Sequence, residues 1–275
     1  MAPLATVETS ERTLSNARIW FMRDGHRRRE KGLHVSKLTI VTGGGRGIGA
    51  AVSKRIAREG HDVVLTYRRD RDAAEQTARE VRALGRRAWC VSVDTTHDDS
   101  VRRLFDEVRT LGPLTGLVNN AGSAGAIGRL QNNDLATIRE DLDVNLLGPI
   151  ACCKFAIESM IEAGGGSIVN ISSAAATLGS PGTYVHYAAA KAGIEALTVG
   201  LSKELAGDGI RVNAVAPGTI WTDFHRDPER PAKVAATIPL GRAGAPDEIA
   251  GAVAWLLSDD ASYATGTTIR VAGGL

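Results

Sequence analysis

A chain of 275 residues with 43% hydrophobic content can bury a full core as one large or two small domains. No run of about eighteen apolar residues marks a membrane span. Three cysteines, two of them adjacent at Cys152 and Cys153, and six scattered histidines lack disulfide or metal-ligand spacing, which predicts a reducing cytosol and no metal. The net charge of +2 comes from residues 1–36, whose seven Lys/Arg and four Asp/Glu leave 26 basic against 27 acidic residues beyond them. A balanced chain without a basic cluster is a poor nucleic-acid binder.

Residues 1–36 show no sustained periodicity, lack the apolar core of a secretory signal and hold too many acids for an organelle-targeting peptide. Disorder is the expected state. Two other readings stay open: a docking or localisation patch at Arg27-Arg28-Arg29, and translated upstream sequence. For the latter, Glu30-Lys31-Gly32 requires a purine-rich run, and Val35 can be encoded by a start codon.

From residue 37 the pattern changes to alternating strands and helices. The β-rich run 38–42 leads into Gly43-Gly44-Gly45-Arg46-Gly47-Ile48-Gly49 and the apolar-periodic stretch 48–59. Strand, glycine turn and helix in that order form the phosphate-binding start of a dinucleotide fold. A second strand, 62–67, ends at Tyr67-Arg68-Arg69. An acid there would hold the ribose hydroxyl of NAD; guanidinium groups pair instead with a 2′-phosphate, and Arg46 adds a cation on the same side. NADP(H) is therefore expected over NAD(H).

Helix 71–84, strand 88–93, helix 98–110 and strand 116–118 continue the alternation of a parallel sheet. Asp94 closes the third strand, where it can meet an adenine. The fourth strand runs into Asn119-Asn120-Ala121-Gly122, a small polar turn suited to backbone contact with a dinucleotide. The apolar stretch 142–160 follows. A β-branched run from residue 168 then ends in Ser172 and Ser173, hydroxyls placed at a strand's carboxyl end, where open α/β sheets bind ligands. After the turn at Gly179-Ser180-Pro181-Gly182, Ile194, Leu197, Leu201 and Leu205 keep helical spacing. Tyr187 and Lys191, four residues apart, therefore share a face. A cation beside a phenol lowers its usual pKa of about 10, which suits Tyr187 to general acid/base work. Strand 211–216, helix 247–257 and strand 267–271 complete the pattern.

Thr42-Gly43-x-x-x-Gly47-x-Gly49, Asn119-Asn120-Ala121-Gly122, Asn145, Ser173, Tyr187-x-x-x-Lys191 and Pro217-Gly218 occur in one order. Over 37–275 the chain closely resembles the short-chain dehydrogenase/reductase family, most strongly members called 3-oxoacyl-carrier-protein reductase or glucose-1-dehydrogenase-like. The resemblance implies a single α/β domain, a doubly wound parallel sheet (Rossmann fold) of order 3-2-1-4-5-6-7. It also implies a catalytic set of Asn145, Ser173, Tyr187 and Lys191. Tyr187 would exchange a proton with the substrate oxygen, and Lys191 would depress the phenol pKa and hold the nicotinamide ribose. Ser173, rather than Ser172, would bond the substrate oxygen, and Asn145 would place a water linking Lys191 to solvent.

The cofactor would be held by Gly43, Arg46, Gly47, Ile48, Gly49, Tyr67, Arg68, Arg69, Asp94, Asn120, Ala121 and Gly122, with Tyr187 and Lys191. Pro217, Gly218, Ile220 and Thr222 would meet its carboxamide. Substrate contacts are expected from Ser173, Tyr187, Trp221 and Phe224, the last two opening a variable lid over about 219–239. His225 is expected to be a solvated loop histidine.

The function expected is NADP(H)-dependent interconversion of a small-molecule carbonyl and alcohol, in the cytoplasm, with no nucleic-acid or membrane partner. The alternative is reduction of a β-ketoacyl thioester on carrier protein. It is disfavoured because Glu162 and Asp208 stand where carrier-binding members commonly have basic residues near the active-site mouth. A third reading, an NADP-binding regulator without turnover, is disfavoured by the intact catalytic set. Ala188, Ala189, Ala190, Ala192 and Gly193 leave room for another helix to pack closely, with 142–160 as an apolar partner. Together with the family's habit of pairing these helices, this predicts a homotetramer of dihedral symmetry.

Overall fold

Seven parallel strands form one sheet in the order β3-β2-β1-β4-β5-β6-β7 in the computed structural model, which describes residues 37–275; the expectations for residues 1–36 lie outside the described residues. The strands are β1 (Lys37–Val41), β2 (His61–Tyr67), β3 (Ala88–Ser92), β4 (Leu114–Asn119), β5 (Gly166–Ile171), β6 (Ile210–Pro217) and β7 (Thr268–Val271). Helices α1 (Gly47–Arg58), α2 (Arg71–Ala83), α3 (Asp98–Arg109), α4 (Leu135–Leu142), α5 (Gly148–Glu162), α6 (Ala175–Leu178), α7 (Val185–Glu204), α8 (Arg230–Val234) and α9 (Pro246–Leu257) cover and join them. The expected sheet order is the one observed.

Strands β1 to β6 each feed two cores because successive side chains point to opposite faces. Val63 and Leu65 of β2 join Val52 and Ile56 of α1, Val81 of α2 and Ile249 and Val253 of α9 on one face. Val64 of the same strand joins Leu38, Ile40 and Leu117 against Leu104 of α3 and Met160 of α5 on the other. Burial on both faces explains why these strands read as continuous apolar runs rather than alternating ones.

The expected helix from residue 142 differs in detail. Residues Leu135–Glu162 form one helical run, long and apolar enough in composition to cross a membrane. Here it flanks the sheet, with Cys152, Cys153, Ala156 and Met160 of α5 in the core. It widens into a π-type turn over Asp143–Leu147, a departure that carries no periodicity signal. Helices α4, α6 and α8 were also absent from the sequence reading; α6 and α8 are too short to show a period.

The order reverses direction between β1 and β4, and the carboxyl ends of those strands open the crevice in which such sheets bind ligands.

Candidate active site

The crevice is a pocket of about 810 Å³ running from the glycine turn to the loops after β5 and β6. Thr42 ties its two central strands together. Its hydroxyl donates to Val118 O at 3.3 Å and accepts from the backbone N–H groups of Asn120 and Ala121 at 2.9 and 3.0 Å. The Asn120 amide returns donors to Thr42 O at 2.8 Å and Gly43 O at 3.1 Å. Gly43 and Gly47 hold φ of 62° and 50°, the left-handed region that favours glycine. No side chain caps the first turn of α1, so its N–H groups remain available to an anion.

This cradle fits a dinucleotide. Gly43, Arg46, Gly47, Ile48, Tyr67, Arg68, Arg69, Asp94, Asn120, Ala121 and Gly122 line the pocket, as do Pro217, Gly218, Ile220 and Thr222. Gly49 does not line it: a Cβ there would collide with Gly43 O, so its role is the close seating of α1. The adenosine end is also less one-sided than the sequence suggested. Arg46 lies 3.5 Å from Asp70 and Arg68 lies 3.5 Å from Asp94. Asp70 lines the pocket, so an acid is present that the reading of Tyr67-Arg68-Arg69 omitted. Its carboxylate caps α2 through Ala73 N at 3.0 Å. Asp94 accepts from the backbone and hydroxyl of Thr96 at 3.1 and 2.7 Å.

At the other end, α7 brings Tyr187 and Lys191 to the tip of β5. Ser172 and Ser173 separate by strand alternation. The Ser172 hydroxyl turns to α7, donating to Glu195 Oε1 at 2.9 Å and Lys191 O at 3.2 Å, while Ser173 hydrogen-bonds Tyr187. The Tyr187 ring is buried, edge-on to Tyr184 at 5.0 Å and tilted against Phe224 at 5.8 Å. Lys191 Nζ stands 5.6 Å from the Tyr187 ring centroid and donates to Ile171 O at 2.9 Å.

The phenol pKa departs from the expected direction. Burial pushes it above its ordinary value, Tyr184 adds to the rise, and the Ser173 hydrogen bond opposes it. Burial also lowers Lys191 to about 8, so desolvation acts on both groups against their charged forms.

Asn145 is fully buried behind Gly122 and Ser123. Its amide donates to Ser123 O and Asp141 O, each at 2.7 Å. A Cβ on Gly122 would stand 3.0 Å from Asn145 Oδ1, so the glycine permits the approach.

Two expectations for the 219–239 segment change. Trp221 is not a pocket residue: its backbone N–H donates to Gly244 O at 2.9 Å and its side chain is about half exposed. His225 is half-buried rather than freely solvated: it lines the pocket and hydrogen-bonds Ile220 O through Nε2 at 3.1 Å. Burial, with the Arg230 charge as a smaller cause, keeps its pKa below the ordinary value. Phe224 does line the pocket. Arg226 donates to Gly125 O at 2.7 Å, joining this segment to the loop after β4.

The sequence reading missed a buried pair beneath that loop. Asp141 accepts from Gly125 N at 2.7 Å, Ala126 N at 2.9 Å, Ser123 Oγ at 3.1 Å and His186 Nε2 at 3.0 Å. Burial alone would raise its pKa, but the Ala126 and Gly125 amides, with His186 and Ser123, hold it below the usual carboxylate value. The only local signals were the position of His186 beside Tyr187 and of Asp141 one turn before Asn145. Among the described residues no group of His, Cys, Asp and Glu has metal-site geometry.

Comparison with known proteins matches residues 43–275 to the family model described as enoyl-(acyl carrier protein) reductase. The uncharacterized oxidoreductase YgfF of Escherichia coli is 41% identical over 244 residues, covering 86% of this chain and 99% of that protein. The 3beta-hydroxysteroid dehydrogenase 1 of Eggerthella lenta is 40% identical over 248 residues, 87% of this chain and 93% of that one. Among solved structures, acetoin dehydrogenase from Salmonella typhimurium superposes with a TM-score of 0.80 at 34% identity, covering 87% of this chain and 95% of its own. A blue fluorescent protein from a metagenomic library, solved with NADPH, gives 0.81 at 36% identity, covering 86% and 97%. With its strand order, glycine cradle and Ser–Tyr–Lys cluster, the chain belongs to the short-chain dehydrogenase/reductase family of oxidoreductases.

Proposed function

We propose that the protein interconverts a carbonyl and a secondary alcohol on a small molecule, with NADP(H) as cofactor and Tyr187 as the general acid/base. The observation that carries this reading is the buried Tyr187 phenol, hydrogen-bonded to Ser173 and facing the same pocket as the glycine cradle. When bound, the nicotinamide supplies or accepts the hydride. In reduction, Tyr187 gives its proton to the oxygen while the carbon gains the hydride, leaving alcohol and oxidised cofactor. Ser173 holds the oxygen in line. Lys191, anchored to Ile171 O, presents an ammonium that stabilises the tyrosinate left behind. Asn145 holds the Ser123 carbonyl and the widened turn in place.

Three arginines at the adenosine end, Arg46, Arg68 and Arg69, support NADP(H) over NAD(H); Asp70 and Asp94 partly offset them. The segment 219–239, with Phe224 over Tyr187, acts as the substrate lid. Glu162 and Asp208 no longer bear on the carrier-protein reading. They precede β5 and β6, at the amino-terminal edge of the sheet, opposite the pocket.

The expected homotetramer rests on fewer of the small residues than the sequence suggested. Ala188 and Ala190 are buried within the protomer, and Leu146 packs over Gly193. Ala189, Ala192, Ala196 and Val199 form the exposed stripe on α7, and Leu147 and Ile150 are exposed on the helical run Leu135–Glu162. A second copy covering that stripe would bury it.

The test is NADPH oxidation with a panel of ketones, sugars and acyl thioesters, set against the Tyr187→Phe variant. Turnover of a free carbonyl that disappears in the variant supports the reading; unchanged turnover in the variant overturns it.

A further inference from the structure

Arg230 opens α8 and lines the lobe of the pocket beyond Tyr187. Its guanidinium carbon stands 5.9 Å from the Tyr184 ring centroid, and that ring stands 5.0 Å from the Tyr187 ring. Tyr184 thus touches both groups, which places Arg230 in the same part of the pocket as Tyr187. Arg230 Nε is buried and has no hydrogen-bond partner among the described residues. The neighbouring carboxylate, Asp227, is committed to Lys233 at 2.7 Å. The other arginine of this segment, Arg226, spends a donor on Gly125 O.

A guanidinium donor withdrawn from water without a partner is costly. Its planar fork matches a carboxylate in two parallel hydrogen bonds. Tyr184, Phe224 and Val234 line the same pocket, and Tyr184 and Phe224 pack on Tyr187, which suits an aromatic or branched apolar body. A single cation that already feels the Asp227 charge, in a pocket also lined by Asp223, favours a singly charged carboxylate over a doubly charged phosphate.

We propose that Arg230 is a specificity residue that pairs with a carboxylate on the substrate, which makes the preferred substrates apolar keto acids and their hydroxy-acid products. The proposal rests on the carbonyl–alcohol reading above, and it concerns the end of the substrate away from the reacting carbon. Arg230 takes no part in the hydride or proton transfer. It lowers KM for the anionic carbonyl through a contact present before and after reaction.

The experiment uses the full chain loaded with NADPH and follows cofactor fluorescence. Benzoate, phenylacetate and 3-phenylpropionate are titrated beside their amides, in the unmodified protein and in Arg230→Met and Arg230→Lys. At least one acid is expected to bind about tenfold or more tighter than its amide, the size of one charge-assisted hydrogen bond. Arg230→Met should erase that gap while leaving amide affinity unchanged, which also reports an intact fold; Arg230→Lys should restore part of it. In turnover, Arg230→Met should raise KM for keto acids and leave their methyl esters unaffected. Acids that bind no better than amides, or a gap that survives Arg230→Met, overturn the proposal. An Arg230-dependent gap without NADPH oxidation by any carbonyl would instead defeat the hydride reading and leave the anion site standing.

Discussion

The Lys191 ammonium donates to the Ile171 carbonyl at 2.9 Å, so α7 is fastened to the end of β5 through the cation expected to serve Tyr187. Burial lowers Lys191 to about 8 and raises the phenol. In this surrounding Tyr187 keeps its proton at neutral pH, the form required of an acid in carbonyl reduction. Tyr187→Phe should cut turnover by about a hundredfold to ten-thousandfold while leaving the NADPH dissociation constant nearly unchanged. Fluorescence titration beside a rate assay checks both halves.

The same burial makes Lys191 a stability cost. An unfolded lysine keeps its proton to about pH 10.4, whereas the native group releases it near 8. The penalty is therefore fully present below about pH 8 and is relieved as pH rises from there through the unfolded value. Lys191→Met should melt higher than the unmodified protein at pH 7, by the equivalent of about 1 kcal/mol or more, yet be inactive. The gap should shrink when the two are compared at successively higher pH.

Under the proposed function, cofactor choice should turn on Arg46, Arg68 and Asp70. NADPH should bind more tightly than NADH by about 1.5–3 kcal/mol, and Arg68→Asp should erase the difference. Asp70→Asn keeps a good helix cap on α2 but releases Arg46 from its ion pair. It should widen the preference. Isothermal titration with both cofactors checks the three proteins, and equal affinities in the unmodified protein would remove the arginines from the cofactor site.

Asp141 should be an acid-sensitive point. Its native pKa lies below the ordinary carboxylate value, so its stabilising contribution is fully present above the unfolded pKa of about 4 and is lost as pH falls through the lower native value. Asp141→Ala strips acceptors from Gly125, Ala126 and His186 and should cost roughly 3–5 kcal/mol at pH 7. Urea midpoints for the two proteins should converge as pH is lowered below about 4.

Light scattering at micromolar concentration should report a homotetramer, and Val199→Glu on the exposed stripe of α7 should dissociate it at least in part. An active monomer would show that the stripe is not an interface.

The fold was legible because buried parallel strands and amphipathic helices write their periods locally. The runs 38–42 and 62–67, the glycine turn between strand and helix, and the four-residue spacing of Tyr187 and Lys191 need only neighbours in sequence to be read. Partner choice and desolvation do not. Asp141 meets His186 only when α4 packs on α7. Arg46 meets Asp70 only when β1 and β2 lie side by side. Glu162 and Asp208 fall at the wrong edge for a substrate because parallel strands put every such turn opposite the pocket. The direction of the Tyr187 shift was decided by Tyr184, Ser173 and the burial around them, a balance of surroundings that no spacing along the chain records.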